Sequence, residues 1–195
     1  MSSVENDILK LILQFLREEN LVQTAHVMER ESGLFFDTNY FAQMVVDGLL
    51  DEAEKYLSGF TKIHDNILST RIYFELRRQK YLEALDKQDR VKALDILLNE
   101  FKVFAQYNDR IFKEAILLLP LDNFRQHESL ATYGDPKLER IQIVHGLVKF
   151  LQENPALKGK LVFPFANGNP SLRQLIYHPQ AGSSSDAKPP VSLQL

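Results

Sequence analysis

The sequence has 195 residues, 45% of them hydrophobic and 25% charged, so it can bury a sizeable core and does not have the composition of a disordered chain. Its net charge of −3 lacks the basic excess that direct nucleic-acid binding needs, and the absence of cysteine excludes disulfides and thiol chemistry. No run approaches the roughly 18 apolar residues of a membrane span, and no basic region typical of a signal peptide starts the sequence. We therefore expect a soluble intracellular protein with one large helical domain or two small ones, no membrane partner and no direct nucleic-acid partner.

Periodic apolar residues predict helices along almost the whole chain, and no useful run alternates with the period of two that marks a strand. The first predicted helix opens at a capping box formed by Ser2 and Glu5. Glycine or proline closes several later helices, as at Gly33, Gly48 and Pro120. After the first helix, the predicted ranges are about 21–32, 40–47, 50–58, 66–87, 90–104, 109–119, 121–130 and 136–153, with one further short helix considered at 171–178. The pattern therefore predicts an all-α fold of about nine helices.

The sequence contains none of the common motifs for catalysis or metal binding. Its five histidines are scattered, with no pair three or four residues apart, and there is no cysteine to share a metal ion. Glycine-rich phosphate loops, the EF-hand pattern and the G-x-S-x-G elbow are also absent. We therefore expect a protein that is not an enzyme and uses no cofactor. A hydrolase with scattered catalytic residues stays an alternative, because active sites assemble in space.

The first informative segment is a pair of short helices within residues 8–33. Two helices of this length cannot bury both of their apolar faces on each other, so dimerisation would cover the remaining surface, and packing within the chain is the alternative. The apolar stripe, Thr24-Ala25 and Glu31-Ser32 resemble the LisH motif, which is a dimerisation module. The residues expected at this oligomer interface are Leu9, Ile12, Phe15 and Leu16.

A second informative segment follows from about residue 40. Its V-x-x-G-x-x-D-E-A pattern, an aromatic and basic helix, and the run K-Y-L-E-A-L resemble a CTLH domain with a CRA-type continuation. The order LisH, CTLH, CRA occurs in several families of scaffold proteins. It predicts a LisH helical hairpin at 1–36, a CTLH region at 37–95, a CRA-type helical continuation at 96–178 and a flexible tail at 179–195.

Five short runs narrow the resemblance to one family. They are YLSGFTK at 56–62, RQKYLEALDKQDR at 78–90, FKVF at 101–104, LDNFR at 121–125 and YGDPK at 133–137. From residue 1 to about 165, the chain resembles the N-terminal domain of the plant Topless and Topless-related co-repressors. The resemblance implies a nuclear transcriptional co-repressor module that forms dimers of dimers. It also implies an apolar groove for the L-x-L-x-L peptides of transcriptional repressors or their adaptors, called EAR motifs.

The resemblance assigns the peptide groove to six positions of this chain, which are Arg71, Phe74, Phe104, Ile111, Leu130 and Phe150. Without it, the five apolar residues would pass as core and Arg71 as a surface charge. Ile111 and Phe150 replace leucines of the family, so the pockets are expected to differ in shape. Ile67 and Leu68 replace an arginine and an aromatic residue near the rim, which would weaken the binding of acidic peptides.

A second oligomer contact, between dimers, is implied at Lys102, Ile116, Leu117 and Asp122. Ile116 and Leu117 are apolar where the family has polar residues, and this change would strengthen, redirect or abolish the contact. A dimer through the LisH helices is therefore expected, and the sequence leaves the choice between dimer and tetramer open.

Two hypotheses remain beside this interpretation. LisH, CTLH and CRA modules also occur in scaffold subunits of ubiquitin-ligase assemblies, which is the alternative function. The segment VSLQL at residues 191–195 is a valine-for-leucine version of the L-x-L-x-L pattern, and it follows AGSSSDAKPP, a composition typical of linkers. It is either a disordered end of the chain or a peptide that docks into a groove.

Overall fold

The computed structural model describes residues 3–164 and Leu172, and this part of the chain contains helices and turns without a strand. The eight α-helices within it are α1 (Ser3–Glu18), α2 (Val22–Ser32), α3 (Thr38–Val46), α4 (Leu50–Leu57), α5 (Ile67–Asp86), α6 (Arg90–Asp95), α7 (Asp109–Leu118) and α8 (Pro136–Glu153). The predicted all-α fold is confirmed. None of these helices is long and apolar enough to cross a membrane. The helix considered at 171–178 and the tail at 179–195 lie outside the described residues, apart from Leu172.

Side-chain caps set the starts of several helices, as their sequence predicts. The Asn66 side chain accepts hydrogen bonds from the backbone amides of Leu68 and Ser69, and Asp135 caps α8 in the same way before a proline at the first helical position. Gly48 takes a φ of 79° just after α3, a left-handed conformation that glycine adopts without a steric cost. Glycine is required at position 59 for a different reason: a Cβ there would lie only 2.3 Å from the Arg30 carbonyl oxygen.

Two predicted helices are wrong in detail. The segment 121–130 is not one helix but two 3-10 turns, Phe124–Gln126 and Glu128–Leu130, interrupted where His127 takes an extended ψ of 128°. Arg125 anchors these turns, since its Nε donates to the Tyr133 carbonyl at 2.8 Å and its guanidinium pairs with Asp86 of α5 at 2.7 Å. Such long-range contacts override the local helical pattern.

The predicted helix 90–104 is also interrupted. After α6 the chain forms a π-helical turn at Ile96–Phe101 and a 3-10 turn at Lys102–Gln106. The π turn shifts the register of the helix, and the buried side chains of Phe101 and Phe104 both face the core. Arg77 of α5 donates to the Glu100 carbonyl at 2.7 Å, so the irregular backbone has a partner that was not evident in the sequence.

The chain divides into two units, with residues up to Met28 in one and Glu29–Phe163 in the other. In the first unit, α1 buries Leu13 and exposes Val4 and Ile8. In the second, α5 is the central helix and is contacted by α4, α6, the π turn and α8. Because neighbours surround it, α5 carries buried residues around most of its circumference rather than on one stripe.

Buried ion pairs fix the elements around α5. Lys80 is only 8% exposed and pairs with Asp51 of α4 and with Glu100 of the π turn. Burial lowers the pKa of Lys80, but the hydrogen bonds to the two carboxylates outweigh this effect and raise the pKa overall. Glu83 pairs with Arg140 of α8 at 2.8 Å. These ion pairs therefore hold α4, the π turn and α8 to one central helix.

Candidate functional site

An open cavity of about 210 Å³ lies between α5, α7 and the two 3-10 turns that precede α8. We call it the groove. Three of the predicted peptide-binding residues line it together, Phe74 from α5, Ile111 from α7 and Leu130 from the second 3-10 turn. These residues are far apart in the sequence, and the turn anchored by Arg125 brings Leu130 to the other two. Their peptide-binding role stays a prediction.

Phe104 lies beneath the groove rather than on its surface. It is 2% exposed, and its ring meets that of Phe74 edge-on, with centroids 5.3 Å apart. Phe101 packs against both rings, with centroids 5.4 Å from each. Phe104 therefore supports the side chain of Phe74, and a direct contact with a ligand would require the cluster to open.

Arg71 and Phe150 form a pair that does not line the groove. Arg71 is exposed, and its guanidinium lies over the Phe150 ring, 5.8 Å from the centroid. This cation–π contact is worth about 0.5–1 kcal/mol at an exposed site. Arg71 precedes Phe74 by three residues on α5, so the two side chains share a helix face. The pair extends the face of α5 that carries the groove and presents one positive charge beside it.

A polar rim that was not predicted from the sequence surrounds the apolar floor. Arg78, Glu114, His127 and Ser129 all line the groove. Arg78 follows Phe74 by four residues and Glu114 follows Ile111 by three, so helical spacing could have found both. His127 and Ser129 could not be found in this way, because their position depends on the turn that replaces the predicted helix. The His127 Nδ1 and the Ser129 Oγ lie 2.8 Å apart, within hydrogen-bonding distance.

The groove continues into a smaller and more polar cavity of about 100 Å³. The two cavities share Arg78, Ser129 and Leu130. On the other side, the Tyr81 hydroxyl donates to the Ala115 carbonyl at 2.7 Å and fixes α7 against α5. The walls of the two cavities therefore belong to packed helices and an anchored turn.

The charges near the rim nearly balance. Arg78 lies 3.8 Å from Glu75, and burial raises the pKa of that carboxyl while Arg78 partly lowers it. Glu114 accepts a hydrogen bond from Arg110 at 2.7 Å. A ligand entering the groove therefore meets hydrogen-bonding groups of both signs around an apolar floor.

The predicted oligomer residues fall on two surfaces. Leu9, Ile12, Phe15 and Leu16 of α1 are all half-buried. Ile116 and Leu117 of α7 are exposed, and together with Val91 and Leu94 of α6 they line an open, almost wholly apolar depression. We call these four residues of α6 and α7 the apolar patch. Asp122 pairs with Arg90 of the same chain at 2.8 Å, and Lys102 is exposed outside the lining of this depression.

Comparisons with known proteins identify the domains and the relatives of this chain. Two family models match the chain, a LisH-like dimerisation domain over residues 1–34 and a TPR1-like, CTLH-containing domain over residues 37–161. Protein TOPLESS of Arabidopsis thaliana is 51% identical over 176 residues, which cover 90% of this chain and 16% of the relative. Topless-related protein 4 of Arabidopsis thaliana is also 51% identical over 176 residues, covering 90% of this chain and 15% of the relative.

A rice relative gives the same result. Protein TPR3 of Oryza sativa subsp. japonica is 50% identical over 176 residues, covering 90% of this chain and 15% of the relative. The chain therefore spans less than a fifth of the length of these curated relatives. Identity of this extent, together with the two domain matches in their predicted order, shows that the chain belongs to the plant Topless and Topless-related family.

Proposed function

We propose that this chain is a transcriptional co-repressor module that acts in the nucleus and binds L-x-L-x-L peptides of transcriptional repressors in the groove. The observation that carries the proposal is the meeting of Phe74, Ile111 and Leu130 on the floor of one depression. Successive side chains of an extended peptide point to opposite sides, so the leucines of such a peptide form one apolar row. A concave apolar floor with a polar rim is suited to that row.

The size of the groove favours a few side chains over a whole small molecule. Its volume of about 210 Å³ is below the roughly 300–1,000 Å³ typical of sites for drug-sized ligands. Burying three leucine side chains would contribute about 1.5–3 kcal/mol each, before the cost of ordering the peptide and of association. These terms together favour micromolar affinity. The site therefore suits exchangeable partners better than a permanent ligand.

The charged residues near the groove would orient the peptide. Arg71 and Arg78 lie on the same helix as Phe74, and both side chains can donate to peptide carbonyls or to acidic residues between the leucines. Ile67 at the start of α5 is exposed and contributes no charge. We therefore expect acidic residues that flank the peptide's leucines to add less to its affinity for this chain than they would if a cation stood at position 67.

The same chain would present its groove in several copies. A dimer formed through the LisH-like domain doubles the number of grooves, and a further contact through the apolar patch would double it again. Linked sites bind a partner with several peptide motifs more tightly than single sites do. Oligomerisation therefore belongs to the proposed function. The ubiquitin-ligase alternative is less well supported, because the identity of about 50% is to Topless-related proteins.

The test is the binding of a fluorescent peptide of sequence LDLNL to the purified chain, measured by anisotropy. We expect micromolar affinity, with a loss of at least tenfold in Phe74→Ala and in the less intrusive Ile111→Ser. Leu49→Ala is the matched control, because Leu49 is an exposed apolar residue outside the groove lining. Equal melting temperatures would show that the variants fold. No binding at high micromolar concentration, either by the parent chain or by a chain that lacks residues 191–195, would overturn the proposal.

A further inference from the structure

We infer that residues 191–195, Val-Ser-Leu-Gln-Leu, bind the groove of their own chain and compete there with peptides from partners. The inference rests on the proposed function of the groove and adds to it a ligand within the same chain. No part of the segment lies among the described residues, so the argument uses its sequence and the geometry of the groove.

The segment has the chemical pattern that the groove would accept. Val191, Leu193 and Leu195 are apolar, and Ser192 and Gln194 separate them. In an extended conformation the three apolar side chains lie on one side, and the polar pair lies on the other. The first of the three is one methylene smaller than leucine, which weakens binding by about fourfold. The segment is therefore a moderate ligand rather than a strong one.

Its uncharged spacers also fit the rim. Arg78 and Glu114 line the groove with opposite charges, and the Ser129 hydroxyl lies beside them. A serine and a glutamine can each donate and accept hydrogen bonds. They can therefore pair with rim groups of either sign. The charges on the rim therefore do not repel the segment.

The intervening chain is long enough. The continuously described part ends at Pro164, next to Phe163, whose ring meets that of Phe35 edge-on with centroids 5.0 Å apart. Residues 179–190, which follow the helix considered at 171–178, can span at most about 40 Å when fully extended. A compact domain of about 135 residues has a radius of gyration of only about 14 Å. The tether therefore does not prevent the segment from reaching the groove.

Tethering would make a moderate ligand effective. A short flexible linker gives an effective concentration of about 1 mM. If the free segment bound with a dissociation constant of about 100 µM, the groove would be about 90% occupied, and the apparent affinity for an added peptide would fall about tenfold. A partner would have to displace the segment, so only peptides with stronger or repeated motifs would bind fully.

The experiment compares the full chain with the variant Val191→Ser, Leu193→Ser, Leu195→Ser, using the fluorescent LDLNL peptide. We expect the variant to bind the peptide about tenfold more tightly than the parent. The matched control is Ser192→Ala with Gln194→Ala, which keeps all three apolar positions. This control should bind the added peptide with nearly the parent affinity, and clearly more weakly than the triple variant does.

The outcomes separate the two proposals. Equal peptide affinity of the parent and the triple variant would overturn the inference and leave the proposed function intact. No binding by either chain would overturn the proposed function and the inference with it. A difference that disappears on dilution of the protein would also overturn the inference as stated, because it would show that the segment occupies a second copy. A tenfold gain that persists on dilution supports binding within one chain.

Discussion

The groove and the apolar patch both use α7, yet they differ in shape and chemistry. Ile111, Ala115 and Leu118 of α7 follow one another at spacings of four and three residues and line the groove. Ile116 and Leu117 of the same helix belong to the apolar patch. The groove is recessed and has charged groups on its rim. The patch is open and almost wholly apolar, and Val91 within it is 83% exposed. A recessed floor suits an extended peptide, and an open face suits another folded surface.

The comparison shows how one helix can serve two kinds of partner. A helix turns 100° per residue, so adjacent positions on α7 point to different surfaces. Ala115 faces the groove and Ile116 faces the patch, although they are neighbours in the sequence. A substitution on one side therefore need not disturb the other. This independence can be tested with two variants of the same helix.

The largest effect is expected from Ile111→Asp. A carboxylate on the floor of the groove would be placed against Phe74 and Leu130, so we expect the affinity for LDLNL to fall at least about 100-fold, or about 2.7 kcal/mol. The solution mass should stay that of the parent, as measured by light scattering. Leu117→Asp, the same change on the opposite side of α7, is the control and should bind the peptide normally. Loss of binding in both variants would show that the two surfaces are not independent.

The second effect concerns the patch. Leu117 is 61% exposed, and a charge there would oppose the burial of Val91 and Leu94 against another copy. We expect Leu117→Asp to halve the solution mass at micromolar concentration, leaving dimers that are held by the LisH-like domain. Sedimentation velocity measures this directly. A parent chain with the same mass as the variant would show that the patch does not join copies under these conditions.

The sequence predicts the fold well because its local signals agree with its tertiary structure. The starts of α5 and α8, capped by Asn66 and Asp135, and the end of α3 at Gly48 all lie where the sequence predicts them. The family resemblance supplied Phe74, Ile111 and Leu130, which periodicity alone would have assigned to the core. The helix signals lie within a few residues of the helix ends that they predict. The groove residues come from the pattern of a whole family.

The missed features depend on contacts between distant residues. The 3-10 turns exist because Arg125 is anchored to Tyr133 and to Asp86, and the sequence 121–130 itself looks helical. His127 and Ser129 reach the rim only through those turns. Phe104, predicted to belong to the peptide groove, is buried beneath it, directly after the π turn and within the 3-10 turn that follows. No local pattern carries this information.

A smaller effect is expected from Lys80, whose ion pairs support the elements beneath the groove. Lys80 ties Asp51 and Glu100 to α5, and Glu100 belongs to the π turn that carries Phe101. Lys80→Met should lower the free energy of unfolding by about 1–2 kcal/mol, below the 3–5 typical of a fully buried pair, because Asp51 is 75% exposed. Peptide affinity should fall modestly and the solution mass should not change. Urea unfolding measures the stability, with the exposed Lys87→Met as the control.

The smallest effect concerns Glu75, beside Arg78 on the face of α5 that carries the groove. Burial raises the pKa of the Glu75 carboxyl in the folded chain. The folded state therefore binds the Glu75 proton more tightly than the unfolded state does. The stability that this protonation contributes is present at acidic pH and is lost as the pH rises through the folded pKa. Glu75→Gln should remove this dependence, so that the variant gains stability over the parent at neutral pH and loses that advantage towards pH 4. Urea unfolding across this range measures the difference, with Glu52→Gln on α4 as the control. If the free energies of unfolding of the parent and Glu75→Gln differed by the same amount at every pH, the effect would come from packing. The solution mass, which reports on the patch, should not change in either case.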